Sequence, residues 1–485
     1  MTGPSGYILL SPEILLSLAG MLLLLAGAIG RGMTNRQSAF VAIVGLALTT
    51  GLLFVVHDRM PTPRYFILGG SFVLDGFSFF LKLLVLIATA IVVLLSIRFL
   101  EEGNYPASEY YALLLLATSG MLFMASGYSL LTIWISLETM ALASYILAGY
   151  FKRELRSNEA ALKYFILGAL SSGILLYGIS LLYGVAGTVQ LDNLSAALGQ
   201  HPGNPLVPLG WILLSAGLFF KVAAVPFHVW TPDVYVGAPT PVTAYLAVAS
   251  KAASFAILLR IFYEGLWSVR AEWQMLVAIV AAATMIWGNL AALTQDNVKR
   301  MLAYSSIAHA GYVLIGVLAI SEVGLWSVIF YLLAYTFITL GAFGTVILLE
   351  RREYAGETCA DYAGLARRSP FLAAMMLLFM IALTGIPPTG GFVGKFYLFA
   401  AAIQGGWGWV AVIGVLTSAV SLYYYFRIVL YMYLADSDQT TPTPVRSPAL
   451  VTAIAVCALA TLALGLYPGP FIELAKRSLL PLPLP

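Results

Sequence analysis

The sequence predicts an all-α polytopic membrane protein of about 14 transmembrane helices, built as two inverted five-helix repeats with helices 7 and 12 broken. Three observations carry that prediction. Hydrophobic residues make up 61% of the 485 and charged residues only 10%, where a soluble domain carries about 25% charged residues. The apolar runs are the length of a bilayer crossing, about 20 residues in a helix. Two of them are interrupted by proline, five spans apart. No soluble domain fits into such a chain.

The candidate spans lie near 8–29, 39–57, 73–98, 109–126, 128–150, 159–186 and 207–230, then 240–263, 273–293, 299–320, 323–349, 371–400, 404–433 and 448–468. The opening MTGPSGYILL lacks a basic stretch before its apolar run, so the first span is expected to be retained rather than cleaved as a signal. Thirteen basic residues between spans, among them Arg36, Lys152, Arg156, Lys299 and Arg300, fall on one side. Six fall on the other: Arg59, Arg64, Arg260, Arg270, Lys476 and Arg477. The excess puts the first side in the cytoplasm or its equivalent and both termini outside.

The seventh span contains GLFFKVAAVPFHVW, Gly217 to Trp230, with Lys221 before Pro226 and His228 after it. Proline removes a backbone hydrogen bond and clashes with the preceding turn, and in lipid the freed groups need partners from protein or water. The run 371–400 is too long for one straight helix, which would reach about 45 Å. It is interrupted at Gly385-Ile-Pro-Pro-Thr-Gly-Gly391, with Lys395 just beyond. Because five is odd, repeats offset by five spans are inverted, a recurring transporter plan with its ion site near midplane. The expected division is a three-helix extension over 1–105, a first repeat over 106–265, a second over 266–435 and a final helix over 436–485.

Composition excludes several classes. A net charge of +3 with no long basic run gives no nucleic-acid surface. Cys359 and Cys457 stand too far apart and too few for a thiolate cluster or zinc site, so no metal is expected. Gly394-Lys395 lacks the remainder of a phosphate loop, since Thr389 and Phe396 occupy its other key positions. No residue pattern binds a nucleotide, flavin or haem.

What remains is charge inside the membrane. Of the 22 carboxylates nearly all fall in loops or at span ends; Glu138, within LTIWISLETMALAS, is the exception. Lys221, Lys251 and Lys395 are also internal, while Lys82 and Lys163 sit near span starts, where they can snorkel. Four midplane charges cost on the order of 10 kcal/mol before pairing. Stripping water from an ammonium or a carboxylate disfavours its charged form and lets it trade a proton near neutral pH. These four are therefore the candidate proton-translocating residues, with Glu138 and Lys221 as a pair titrating as a unit; the bland alternative is a static salt bridge. His228, two helical turns past Lys221, and His309, in YSSIAHAGY beside Ser305 and Ser306, are possible relays, and both could equally be structural hydrogen-bond partners. Tyr423, Tyr424 and Tyr425 are read as packing or interface residues, Asp233 as a turn residue, and Lys299 and Arg300 as markers of the basic face.

At KVAAVPFHVWTPDVYVGAPTPVTAYLAVASKAA, NLAALTQDNVKRMLAYSSIAHAGY and GIPPTGGFVGKFYLF the chain resembles the subunit N (subunit 2) family of proton-pumping NADH:quinone oxidoreductase, respiratory complex I. The resemblance runs nearly the full length, through LETMALASYILAGY and EAALKYFILGALSSG. It implies the antiporter-like fold of fourteen helices. It matches Glu138 to the fifth-helix glutamate, Lys221 and Lys251 to the lysines of helices seven and eight, Lys395 to the lysine of the second half-channel, and His228 to the PFHxWTPD histidine. It further implies that NADH, FMN, iron–sulfur clusters and quinone are bound by other subunits. The implied partners are the other membrane-arm subunits and, through them, the peripheral redox arm. The implied location is a bacterial inner membrane or the equivalent energy-transducing membrane of an organelle. Two alternatives share the motifs: a stand-alone cation/proton antiporter of the multisubunit type, and the matching subunit of a ferredoxin-dependent photosynthetic complex. A purely structural membrane-arm subunit is the third.

Overall fold

A computed structural model describes residues 6–29, 33–60, 62–103, 105–350, 356–436 and 447–481. Arg31, Arg351, Arg352 and Arg446, four of the thirteen residues counted on the basic side, lie outside the described residues, as does the opening MTGPS. The first six spans are α1 (Ser11–Ala28), α2 (Asn35–Asp58), α3 (Gly76–Gly103), α4 (Ala107–Ser126), α5 (Leu130–Ala148) and α6 (Leu155–Ala186). The seventh is split into α7 (Leu206–Val222) and α8 (Trp230–Gly237). Then come α9 (Thr240–Gly265), α10 (Arg270–Leu293), α11 (Val298–Leu318) and α12 (Glu322–Leu349). The twelfth is split into α13 (Pro370–Thr384) and α14 (Gly390–Gln404), followed by α15 (Gly408–Leu434) and α16 (Pro448–Leu466). Among the described residues, twelve helices are long and apolar enough to cross a membrane; the two broken pairs complete the fourteen expected crossings.

The breaks follow from local chemistry. Pro226 cannot donate to the turn before it, and it steers Val225 away from helical backbone. Helix α7 ends with Ala223 in the left-handed region, φ 61°. Helix α13 ends on Gly385 at φ 89°, a conformation open to a residue without a Cβ. Elsewhere polar residues cap helix starts. Thr34 and Gln37 form a capping box on α2, and Asn297 and Ser321 accept from Arg300 N and Gly324 N at the starts of α11 and α12.

Helix α12 runs through the second half and packs on α11, α13, α14 and α16. Helix α9 is the most enclosed span and carries two π-helical turns, Leu246–Ser250 and Ile261–Gly265. The first abuts Lys251, and such wide turns mark functional stretches of helix. An antiparallel hairpin of β1 (Arg64–Ile67) and β2 (Phe72–Asp75), not foreseen from sequence, closes one end of the extension and pairs Arg64 with Asp75. Leu9, Leu10, Val56, Ile67 and Leu74 form a small core beneath it.

Three cations assigned to faces or loops are interior instead. Lys82 does not snorkel: it is 1% exposed and meets the fully buried Glu13 at 2.5 Å. Glu13 is thus an interior carboxylate in addition to the Glu138 singled out from sequence. Arg260 is buried, donating from both terminal nitrogens to Asp75 at 3.1 Å and from one to Glu264 at 3.1 Å. Arg64 pairs with Glu264 at the same place. Lys299 is buried between Glu350 and Glu357, at 3.6 and 3.7 Å. The physical reason is common to all three: each cation is near enough to a carboxylate that pairing replaces contact with water.

Candidate functional site

The first broken span places Lys221 on the last turn of α7, where the carbonyl end of the helix favours a cation. Its Nζ donates to the Tyr145 hydroxyl at 3.4 Å and faces the rings of Tyr145 and Phe220 at 5.6 and 5.7 Å. Both residues lie within the membrane, and Lys221 is 3% exposed. The expected partner Glu138 is on α5, as is Tyr145. Glu138 is near enough to attract the ammonium, but the two make no ion pair within 4.0 Å. The direct pair foreseen from sequence is thus not formed, and the polar contact of Lys221 is with Tyr145 instead. Glu138 Oε1 is buried and has no hydrogen-bond partner among the described residues.

Lys251, on α9 after the π-helical turn, donates to the Ser306 carbonyl at 2.7 Å and to the Ser306 hydroxyl. Ser306 sits on α11 one turn from His309 and two turns from Tyr312, so all three share a face. The Tyr235 hydroxyl reaches Ser306 at 3.5 Å. His309 is held between two tyrosines: Nδ1 meets the Tyr331 hydroxyl and Nε2 the Tyr425 hydroxyl at 3.1 Å, while Tyr425 also meets Ser305. The Tyr312 ring lies edge-on to His309 at 5.5 Å and beneath Lys395 Nζ at 4.6 Å.

Lys395, on α14, reaches back across the second break. It donates to the carbonyls of Leu383 and Thr384 at 2.8 and 2.9 Å and to the Ser418 hydroxyl at 2.9 Å. Those two carbonyls belong to the last turn of α13, which has no further helix to pair with.

Lys251, His309 and Lys395 are therefore brought together through one face of α11. Lys221 and Glu138 form the other end. Between the ends runs an aromatic chain: Tyr145 edge-on to Tyr164 at 4.7 Å, Tyr164 stacked on Trp230 at 4.6 Å, and Trp230 against Tyr235 at 6.3 Å. His228 stands apart. It is 8% exposed, touches Trp287 edge-on and leaves Nδ1 without a partner among the described residues.

Sequence reasoning passed over the tyrosines. Tyr425 was read as packing, yet it is buried and bonded to His309, while Tyr423 beside it is 64% exposed. Tyr424 is also interior and donates to Asn289 at 3.0 Å. The available signal was the helical spacing of Ser306, His309 and Tyr312. Among the described residues no three His, Cys, Asp or Glu could hold a metal ion, and Cys359 and Cys457 are buried and unpaired.

Comparison with known proteins bears on this arrangement. Residues 127–421 match the family model described as NADH:quinone oxidoreductase/Mrp antiporter, TM. A protein of Solibacter usitatus named NADH-quinone oxidoreductase subunit N 2 is 49% identical over 90% of this chain and 89% of its own length. A protein of the same name from Rhizobium meliloti is 45% identical over 96% of both. Among solved structures, a chain of respiratory complex I from Thermus thermophilus with bound Aureothin superposes with TM-score 0.81 at 35% identity. That match covers 96% of this chain and 99% of the other. A chain of the Mrp complex from Dietzia shares the fold, with TM-score 0.84 at 23% identity over 97% and 96% of the two chains.

Proposed function

The chain belongs to the NADH:quinone oxidoreductase/Mrp antiporter family of membrane proteins, and from that premise we propose that it works as a subunit of the N type in the membrane arm of a proton-translocating NADH:quinone oxidoreductase. It is a multi-pass membrane protein. It moves protons through Glu138, Lys221, Lys251 and Lys395, driven by electron transfer from NADH to quinone in other subunits. FMN, the iron–sulfur clusters and the quinone site belong to those subunits. The partners are the neighbouring membrane-arm subunits and, through them, the redox arm. The membrane is a bacterial inner membrane. The three-helix extension covers 1–105, the two repeats cover 106–265 and 266–435, and the last helix covers 436–485.

One observation carries the reading: three buried amines, Lys221, Lys251 and Lys395, with the buried His309 among them and the half-buried Glu138 at one end, lie in a fold with two broken helices. Lys221 has a single hydrogen-bond donation at 3.4 Å and two ring faces. A cation so thinly held in an apolar interior, where an intramembrane charge costs roughly 3 kcal/mol, is easily shifted by a neighbouring charge. A change in the charge of Glu138 alters the hold on the Lys221 proton. The aromatic chain and Ser306 lie between that event and Lys251, and Ser306, His309 and Tyr312 between Lys251 and Lys395.

The test uses sealed membrane vesicles containing the whole complex. Proton uptake that follows NADH oxidation and stops with a quinone-site inhibitor supports the reading. Sodium-driven proton exchange with no electron donor present overturns it in favour of an antiporter.

A further inference from the structure

We propose that Glu13 and Lys82 form a second proton-exchange site, off the line of Lys221, Lys251 and Lys395, linking the α5 end of that line to the membrane face that carries His57 and Asp75. The inference rests on the proton-translocating reading above. The pair lies in the three-helix extension, away from both broken spans. Glu13 Oε1 and Lys82 Nζ are 2.5 Å apart, with side chains 0% and 2% exposed. A buried ion pair kept only for stability has its remaining polar atoms satisfied by other hydrogen bonds. Here Glu13 Oε2 is buried with no hydrogen-bond partner among the described residues, and so is His57 Nδ1.

The pair has polar surroundings on two sides. Towards the hairpin face, Lys82 lines a small cavity with His57, Asp75 and Ser78. Asp75 is in turn held by Arg260 and Arg64, with Glu264 beside them. Towards α5, the Glu13 carbonyl accepts from the hydroxyls of Ser17 at 2.8 Å and Ser119 at 3.3 Å, and those hydroxyls are 2.5 Å from each other. Ser17 and Ser119 line a groove together with Thr132, Ser136 and Thr139. Those three lie on α5, the helix that carries Glu138. The ionisable groups facing the pair are thus His57 from α2 and Asp75 from β2, with Arg64, Arg260 and Glu264 behind Asp75.

The exchange conserves atoms and charge. An N–H bond of the Lys82 ammonium breaks as an O–H bond forms on the Glu13 carboxylate, and the charged pair becomes a neutral amine and acid. The acid then gives its proton to a water molecule entering from the Ser17 and Ser119 side, leaving the carboxylate, and the amine takes a proton from water on the cavity side. The reverse sequence serves the opposite direction.

The test pairs Glu13→Leu with Lys82→Met in the complete complex, which removes both charges together at similar volume. The expected result is a complex assembled at the parent level whose proton uptake per NADH oxidised in sealed vesicles falls by about a quarter or more. An unchanged yield in that double variant overturns the proposal and leaves a static salt bridge. Infrared difference spectra of the parent on adding NADH give a second reading. A carboxyl C=O band that shifts in Glu13→Asp supports the site, and spectra with no band altered in that variant overturn it. The infrared reading decides alone if the double variant does not assemble. Lys221→Ala, measured alongside, separates the two failures: if it too leaves the proton yield unchanged, the translocating reading itself is wrong.

Discussion

The two broken spans share an interruption and hold their lysines in opposite ways. At the first, the freed carbonyls are taken before Lys221 can use them. Ala224 N donates to Phe219 O at 2.8 Å, Ala223 N to Phe220 O at 3.1 Å, and the Trp230 indole to Phe220 O at 3.0 Å. Val225 N is met by the Thr284 hydroxyl at 2.9 Å. Holding Ala223 in the left-handed region costs about 1 kcal/mol, which the surrounding contacts must offset. At the second break, Gly385 makes the same turn without that cost, and Lys395 itself caps two carbonyls and bonds Ser418. One lysine is a charge with a polar contact to spare; the other is part of the backbone's own hydrogen-bond supply. A buried lysine is therefore not one kind of object, even in a chain with two inverted repeats.

The largest effect that follows is at the second break. Lys395→Ala leaves the buried Leu383 carbonyl without its donor and the Thr384 carbonyl with the Ser418 hydroxyl alone, a loss of about 1–3 kcal/mol. The expected outcome is less assembled complex in the membrane, seen on native gels, together with lost proton uptake. Full assembly with pumping alone lost would erase the contrast between the breaks. Lys221→Ala removes one long hydrogen bond and no cap. Here the complex assembles at the parent level while NADH-driven proton uptake falls by about tenfold, modest for the loss of one proton-transfer group. Assembly failing as badly as in Lys395→Ala would show that Lys221 is structural too.

Span positions, both breaks and the four interior charges were legible in the sequence because hydropathy, proline and an unscreened charge are local signals. Breaks at 223–229 and 385–389 follow directly from Pro226 and Pro387-Pro388. What escaped is tertiary. Nothing in the order of residues says that Lys221 meets the Tyr145 hydroxyl rather than Glu138, or that Tyr425 rather than Tyr423 turns inward to His309. Lys82 looked able to snorkel because distance along its own helix was the only measure available. Its partner Glu13 arrives from a different span, 69 residues earlier. Arg260 was counted as a loop cation for the same reason, since Asp75 reaches it through a hairpin that hydropathy does not reveal.

The smallest effect concerns what fixes the far end of the first break. Lys299 donates to the Ala238 carbonyl at 3.3 Å, just past α8, and is held by Glu350 and Glu357. Glu357 also meets Arg156 at 3.5 Å and accepts from Asn297 at 2.8 Å. It lies in a loop outside the spans. Burial pushes its carboxyl above the usual value of 4.5 more than Lys299 pulls it down, with Glu350 adding to the rise and Asn297 and Arg156 opposing it. A carboxyl raised in the folded state binds its proton more tightly there than in the unfolded chain. Its contribution to stability is full below 4.5 and is lost as pH rises through the folded value. Glu357→Gln, neutral throughout, should flatten that decline in the thermal midpoint of the purified complex while leaving proton uptake at neutral pH near the parent's. An equally steep decline in the variant would mean that Glu357 is not the titrating group. A large loss of uptake would mean that the first break depends on this loop as closely as the second depends on Lys395.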